Sequence, residues 1–180
     1  MPSILSPDTA ALAIIDWQER LFPAMDESRR VHALARAVDL AWLARTLDMP
    51  VLTSEQYPRG LGATVPDLDV HDAIAKTSFS ALREPAFVEA LETADRRQII
   101  LVGMETHICV AQTCRDLLSR GYEVWTIADC CLSRRELDWH WGCQRMARDG
   151  AHVVTAEAAL FELQGEAGGP IFKELSRRIR

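Results

Sequence analysis

Six short apolar runs, most of them separated by stretches with helical spacing, leave this chain few folds to choose from. Ala11–Ile15, Pro50–Thr53, a weak run starting at Ile74–Ala75, Gln98–Val102, Glu123–Ala128 and Ala151–Thr155 read as strands. Val31–Leu47 places Leu34, Val38, Trp42, Leu43 and Leu47 at helical spacing. Ala86–Ala94, Thr106–Arg120, Arg134–Asp149, Ala156–Leu163 and Phe172–Arg180 also read as helices. Strands joined through helices run parallel, and their sheet is covered on both faces. The expectation is a Rossmann-like, three-layer α/β/α sandwich with a mostly parallel six-stranded sheet. A length of 180 residues, 48% hydrophobic, is ample for one core. With no repeat or linker in view, residues 1–180 read as a single domain.

The net charge of −6, with both signs mixed throughout, offers no basic face to nucleic acid or an anionic membrane. MPSILSPDTA lacks a basic segment followed by a long apolar stretch, so no signal peptide is expected, and no apolar run has the length of a membrane span. The 5 cysteines, at 109, 114, 130, 131 and 143, make an odd count without CxxC or zinc spacing. Reduced thiols in the cytoplasm are the expectation, with adjacent Cys130 and Cys131 read as packing residues.

In a parallel sheet, ligands sit beyond the carboxyl ends of the strands, and three reactive residues fall there. Cys109 follows the strand ending at Val102, with Gly103 as the break, and sits in the first turn of a helix. Unpaired N–H groups and the positive dipole end would favour a thiolate there, with a pKa below the free-thiol value of about 8.5. It reads equally as one more buried small apolar residue. Lys76 and Lys173 are the lysines among 20 basic residues otherwise all arginine. Lysine is a compact charge that shifts its pKa when buried, so Lys76 suits a site needing a small cation, or is a surface residue. Asp16 closes the run AALAIID. It reads as a cap, or as a general base that takes the thiol proton and later returns one. Backbone N–H groups in the loop before Cys109 could form an oxyanion hole.

The stretches IIDWQERLFPAM, PVLTSEQYPRGLGATVPDL, AKTSFSAL and ILVGMETHICVAQTCRDLLSRGYEVWTIADCCLSR resemble the isochorismatase-like cysteine hydrolase superfamily. RMARDGAHVVTAE and FKELSRRI do so more weakly, and the likeness is strongest to isochorismatase-domain-containing hydrolases. The resemblance implies a catalytic triad of Asp16, Lys76 and Cys109. It also implies a non-proline cis peptide at Met104–Glu105, and an oxyanion hole from the N–H groups of Glu105 and Cys109. Nicotinamidases of this superfamily bind a metal through Asp-x-His after the second strand. This chain has Ser54-Glu55-Gln56-Tyr57 there, with His71 well downstream, so no metal and no cofactor are expected. Isochorismatases proper lack the nucleophilic cysteine. Cys109 therefore turns the expectation to hydrolysis of a C–N bond, amide- or carbamoyl-like, in a small molecule.

Gln18, Phe22, Tyr57 and Phe79 are the residues expected to wall the substrate pocket, although large apolar side chains also serve as plain core. His107 reads as a helix-start residue reaching solvent or a subunit contact. Asp129, Ser133 and Arg134 read together as a loop-stabilising set. One of Trp139 and Trp141 is expected at a subunit interface of a homo-oligomer. Two other readings stand beside the hydrolase. One is a non-catalytic oligomeric binding protein that keeps the fold. The other is a dinucleotide-binding domain, which lacks support because Asp16-Trp17-Gln18-Glu19-Arg20 replaces the Gly-rich turn.

Overall fold

The structure, a computed structural model, describes residues 4–180; residues 1–3, which open the N-terminal stretch weighed above, lie outside it. Six strands, β1 (Ala10–Ile15), β2 (Val51–Gln56), β3 (Ile74–Lys76), β4 (Gln98–Met104), β5 (Glu123–Leu132) and β6 (His152–Val154), form one sheet in the order β3-β2-β1-β4-β5-β6. Every pairing is parallel, so the sheet is wholly rather than mostly parallel. The helices are α1 (Glu27–Thr46), α2 (Pro58–Leu61), α3 (Pro85–Ala94), α4 (Ala111–Ser119), α5 (Glu136–Asp149), α6 (Ala156–Gln164) and α7 (Gly169–Arg178).

The central strand β1 is buried at all six positions, because its alternate side chains enter two different cores. Ala10, Leu12 and Ile14 pack with α1, α6 and α7, whereas Ala11, Ala13 and Ile15 pack with α3, α4 and α5. That is why the run is apolar throughout instead of alternating. Helix α1 starts four residues before the expected Val31, since the Asp26 carboxylate accepts from the Ser28 N–H at 2.9 Å and caps it.

The strands also run further at their carboxyl ends than the apolar runs suggest, through Gln56, Met104 and Leu132. Gly103 does not break β4. It lies inside the strand, opposite Ile15 of β1. A Cβ there would sit 2.3 Å from the Ile15 carbonyl oxygen, at a φ of +154°, so only glycine lets the two central strands close up. Opposite it, the β4–β5 register jumps: Leu101 pairs with Thr126 but Gly103 with Cys131, leaving a bulge in β5. The helix expected over Thr106–Arg120 opens as a π-helical turn, Thr106–Val110, before α4 begins. Such turns gather at functional positions.

Candidate active site

The chain builds β1 to β3 outward in one direction, then returns to β4 and builds the other half, so the order reverses between β1 and β4. Crevices open at such points. Asp16 lies directly after β1, and Cys109 lies five residues after β4 ends. Asp16 adopts the left-handed conformation (φ +55°), which Asp tolerates better than bulkier residues, and its N–H donates to the Ser54 carbonyl at 3.0 Å. The turn fixes where the carboxylate points.

Lys76 ends β3, two strands away from β1, and only a long side chain can span β2 to reach it. Its Nζ donates to Asp16 Oδ2 at 2.7 Å, and both side chains are wholly buried. Gln56 Oε1 (2.8 Å) and the carbonyls of Phe79 (3.0 Å) and Ser78 (3.2 Å) complete the shell around the ammonium. The other carboxylate oxygen, Asp16 Oδ1, accepts from the Ser54 hydroxyl at 2.8 Å. A buried ion pair is tolerable only when its remaining donors and acceptors are satisfied in this way.

The Cys109 thiol lies against the Asp16 carboxyl. Burial raises the Asp16 carboxyl above its usual range, against the opposing pull of Lys76. The thiol does not behave as expected from its helix end. Burial, followed by the nearby Asp16 charge, pushes it up to about 12, and Lys76 offsets only part of this. Cys109 therefore rests as a neutral thiol beside a carboxylate, not as a preformed thiolate. The other four thiols are also raised by burial, to about 12 for Cys114, about 11 for Cys143 and well above the ordinary value for Cys130 and Cys131. What separates Cys109 from them is its neighbour, not its acidity.

The Met104–Glu105 peptide is cis, and among the described residues no protein acceptor takes the Glu105 N–H. Of the residues expected on a pocket wall, Tyr57 lines a cleft of about 360 Å³ with Pro58, Arg59, Ala75, Lys76, Thr77 and Glu84. Phe79 is 53% exposed and is tied to the site through its carbonyl. Phe22 packs against Trp17, ring centroids 5.7 Å apart. Gln18 is not free to face a ligand. It is fully buried, and its amide donates to the Gln56 and Gly62 carbonyls while accepting from the Gln56 N–H.

Other expectations shift as well. His107 does not reach freely into solvent: its Nδ1 pairs with the Ser133 hydroxyl at 3.0 Å. Asp129, Ser133 and Arg134 do not form one set. Asp129 accepts from the Ala156 N–H at the start of α6, and Arg134 bonds Glu105. That Glu105–Arg134 pair is not legible in the sequence, because the two residues lie on different loops and meet only once β4 and β5 are side by side. Trp139 turns inward to donate to the Ala128 carbonyl, whereas Trp141 is exposed. Among the described residues there is no group of three or more His, Cys, Asp or Glu able to hold a metal ion, and no helix is long and apolar enough to cross a membrane.

Residues 10–158 match the family model described as the isochorismatase domain. The chain is 39% identical over 179 residues to isochorismatase domain-containing protein 1 of Salmo salar, covering 98% of this chain but only 62% of that protein's length. It is 37% identical over 177 residues to isochorismatase domain-containing protein 2 of Xenopus laevis, covering 97% of this chain and 85% of the other. Among solved structures it is similar to the MAR1 ribonuclease of Caenorhabditis elegans, at 34% identity, with a TM-score of 0.89 over 98% of this chain and 92% of that one. At 22% identity, YcaC of Pseudomonas aeruginosa shares the fold with a TM-score of 0.93, over 99% and 92% of the two chains.

Proposed function

The chain belongs to the isochorismatase family, and we propose that within it this protein is a cysteine hydrolase cleaving a C–N bond, amide- or carbamoyl-like, in a small molecule. The observation that carries the reading is the Cys109 thiol set against a buried carboxylate, Asp16, which a buried ammonium, Lys76, holds at 2.7 Å. Asp16 takes the thiol proton as Sγ attacks the carbonyl carbon, so no stable thiolate is required. The Glu105 and Cys109 N–H groups receive the oxyanion. Collapse breaks the C–N bond, and Asp16 returns the proton to the departing amine or ammonia. Water then gives a proton to Asp16 and attacks the thioester, which releases the acid and restores the thiol.

Lys76 orients Asp16 and keeps it ionised at a depth where burial alone would neutralise it. With four acceptors around it, the ammonium is fully engaged. It offers no free cation to a phosphodiester, so the activity in the name of the Caenorhabditis protein finds little support in these residues. Five unpaired cysteines suit a reducing compartment such as the cytoplasm. Exposed Trp141 is the residue we place at the subunit contact of a homo-oligomer.

The test is a panel of small amides, carbamoyl compounds and ureides assayed for ammonia release, with single-stranded RNA as a separate arm. Single turnover with any reacting compound should leave an acyl mass on the peptide containing Cys109. Cys109→Ser should lose nearly all turnover, because the site has no histidine beside the nucleophile to activate a hydroxyl. If Cys109→Ala kept wild-type turnover, or RNA were cleaved while no amide reacted, the proposal would be wrong.

A further inference from the structure

Glu105 supplies a backbone N–H to the proposed oxyanion hole, and its side chain is held by a separate device. The carboxylate is only 7% exposed, yet its Oε2 accepts two hydrogen bonds from one residue of the β5–α5 loop: the Arg134 backbone N–H at 3.1 Å and the Arg134 Nε at 3.0 Å. The same loop holds the next residue but one, through Ser133 and His107 at 3.0 Å. Helix α5 then closes on the turn from outside. A Cβ on Gly142 would lie 3.1 Å from both the His107 Cα and N, so the helix backbone rests directly on the segment that leads into Cys109. Three features of the turn are thus fixed: the Glu105 carboxylate and the His107 ring by the β5–α5 loop, and the His107 backbone by α5.

We propose that Arg134 is a positioning residue, which clamps the Glu105 side chain so that the Glu105 N–H stays aimed at the oxyanion. This rests on the hydrolase reading above and adds to it a residue outside the triad. The clamp has the right chemistry for the task. A charge-assisted pair of bonds from one residue to one oxygen fixes both position and direction. Placing an oxyanion donor before the reaction is where such rigidity gains most. Arg134 is itself 59% exposed, so its value to the bare fold is small and its effect should appear in catalysis. The charged groups acting on the thiol are Asp16 after β1, Lys76 on β3 and Glu105 on the turn, while Glu105 and Asp138 of α5 act on Arg134.

Two reactions of Cys109 separate the donor from the nucleophile. In acylation by p-nitrophenyl acetate, the S–C bond forms through an oxyanion, nitrophenolate leaves, and the thiol proton passes to Asp16. In alkylation by iodoacetamide, the S–CH₂ bond forms and iodide leaves with no oxyanion at all. Arg134→Ala and Glu105→Gln should each lower the ratio of acylation to alkylation by about tenfold or more, toward the 10²–10³-fold typical of losing one donor. Their effects on alkylation alone should be opposite in sign. Unshielded Glu105 hinders loss of the thiol proton in Arg134→Ala, and loss of the charge eases it in Glu105→Gln. Arg134→Lys, which keeps the charge and the backbone N–H, should recover part of the ratio. An unchanged ratio in both variants would overturn the clamp while leaving the nucleophile intact. A wild-type protein in which Cys109 is alkylated but never acylated would overturn the hydrolase reading and the clamp with it.

Discussion

Replacing Lys76 by methionine keeps most of the side chain's length and removes its ammonium group. The structure predicts a large penalty. Lys76 and Asp16 are both wholly buried, 2.7 Å apart, so the variant leaves a carboxylate in the core with only the neutral donors of Ser54 and Cys109 among its side-chain partners. It also strips a donor from Gln56 Oε1 and from the carbonyls of Ser78 and Phe79. Removing one partner of a buried pair costs about 3–5 kcal/mol. In a domain of this size each kcal/mol lowers Tm by about 2–4 °C, so a fall of roughly 6–20 °C is expected. The loss should depend on pH. Asp16 already has a raised folded pKa, and without Lys76 it rises further, so the buried carboxyl is tolerated when protonated and penalised when ionised. The Tm gap to wild type should therefore narrow as pH falls and widen as it rises through the folded pKa. Thermal melts of wild type, Lys76→Met, Asp16→Asn and the double variant, across a pH series, make the assay. A double-mutant cycle should give strong coupling, with the double variant losing clearly less than the two single losses combined. A Lys76→Met variant within about 1 kcal/mol of wild type, with a gap that ignores pH, would refute the account.

Four further outcomes follow. Because Asp16 must be ionised to accept the thiol proton and burial raises it, kcat/KM should fall as pH drops through a value above the usual carboxylate pKa of about 3.9. With the thiol at about 12, kcat/KM should show no thiolate-driven rise on the alkaline side until far above neutrality, and a titration near 7–8 in the pH–rate profile would contradict this. Exhaustive chelation should leave activity unchanged, and metal analysis finding about one tightly bound ion per chain, with activity lost on its removal, would overturn that. Gly103→Ala forces a Cβ to within 2.3 Å of backbone at Ile15, so the two central strands must part; a denaturant midpoint unchanged from wild type would contradict the packing.

The order of strands and helices was legible because β-period and helix-period patterns are local, and Asp16, Lys76 and Cys109 were legible because each sits at a strand end. Strand ends themselves were harder. Gly103 reads as a break in any local scheme, and only the approach of β1 shows why glycine belongs inside β4. Gln18, expected on the pocket wall, is instead taken up by the backbone. Its three backbone partners come from the stretch 56–62, whose path no window around residue 18 contains.

The thiol is the most instructive case. A cysteine in the first turn of a helix gains about 1 kcal/mol from the dipole, and that much is visible in sequence. Its burial, and the carboxylate placed against it, depend on β1 and β4 being neighbours, and these two effects together outweigh the dipole and Lys76 combined. The same juxtaposition that makes the thiol a poor acid supplies the base that can remove its proton at the moment of attack. In the proposed mechanism the thiol is thus held neutral until a carbonyl stands before it. A substrate that binds without presenting a carbonyl carbon to Sγ should leave the thiol protonated, and a thiol-reactive compound that stays in bulk water should find little thiolate to attack.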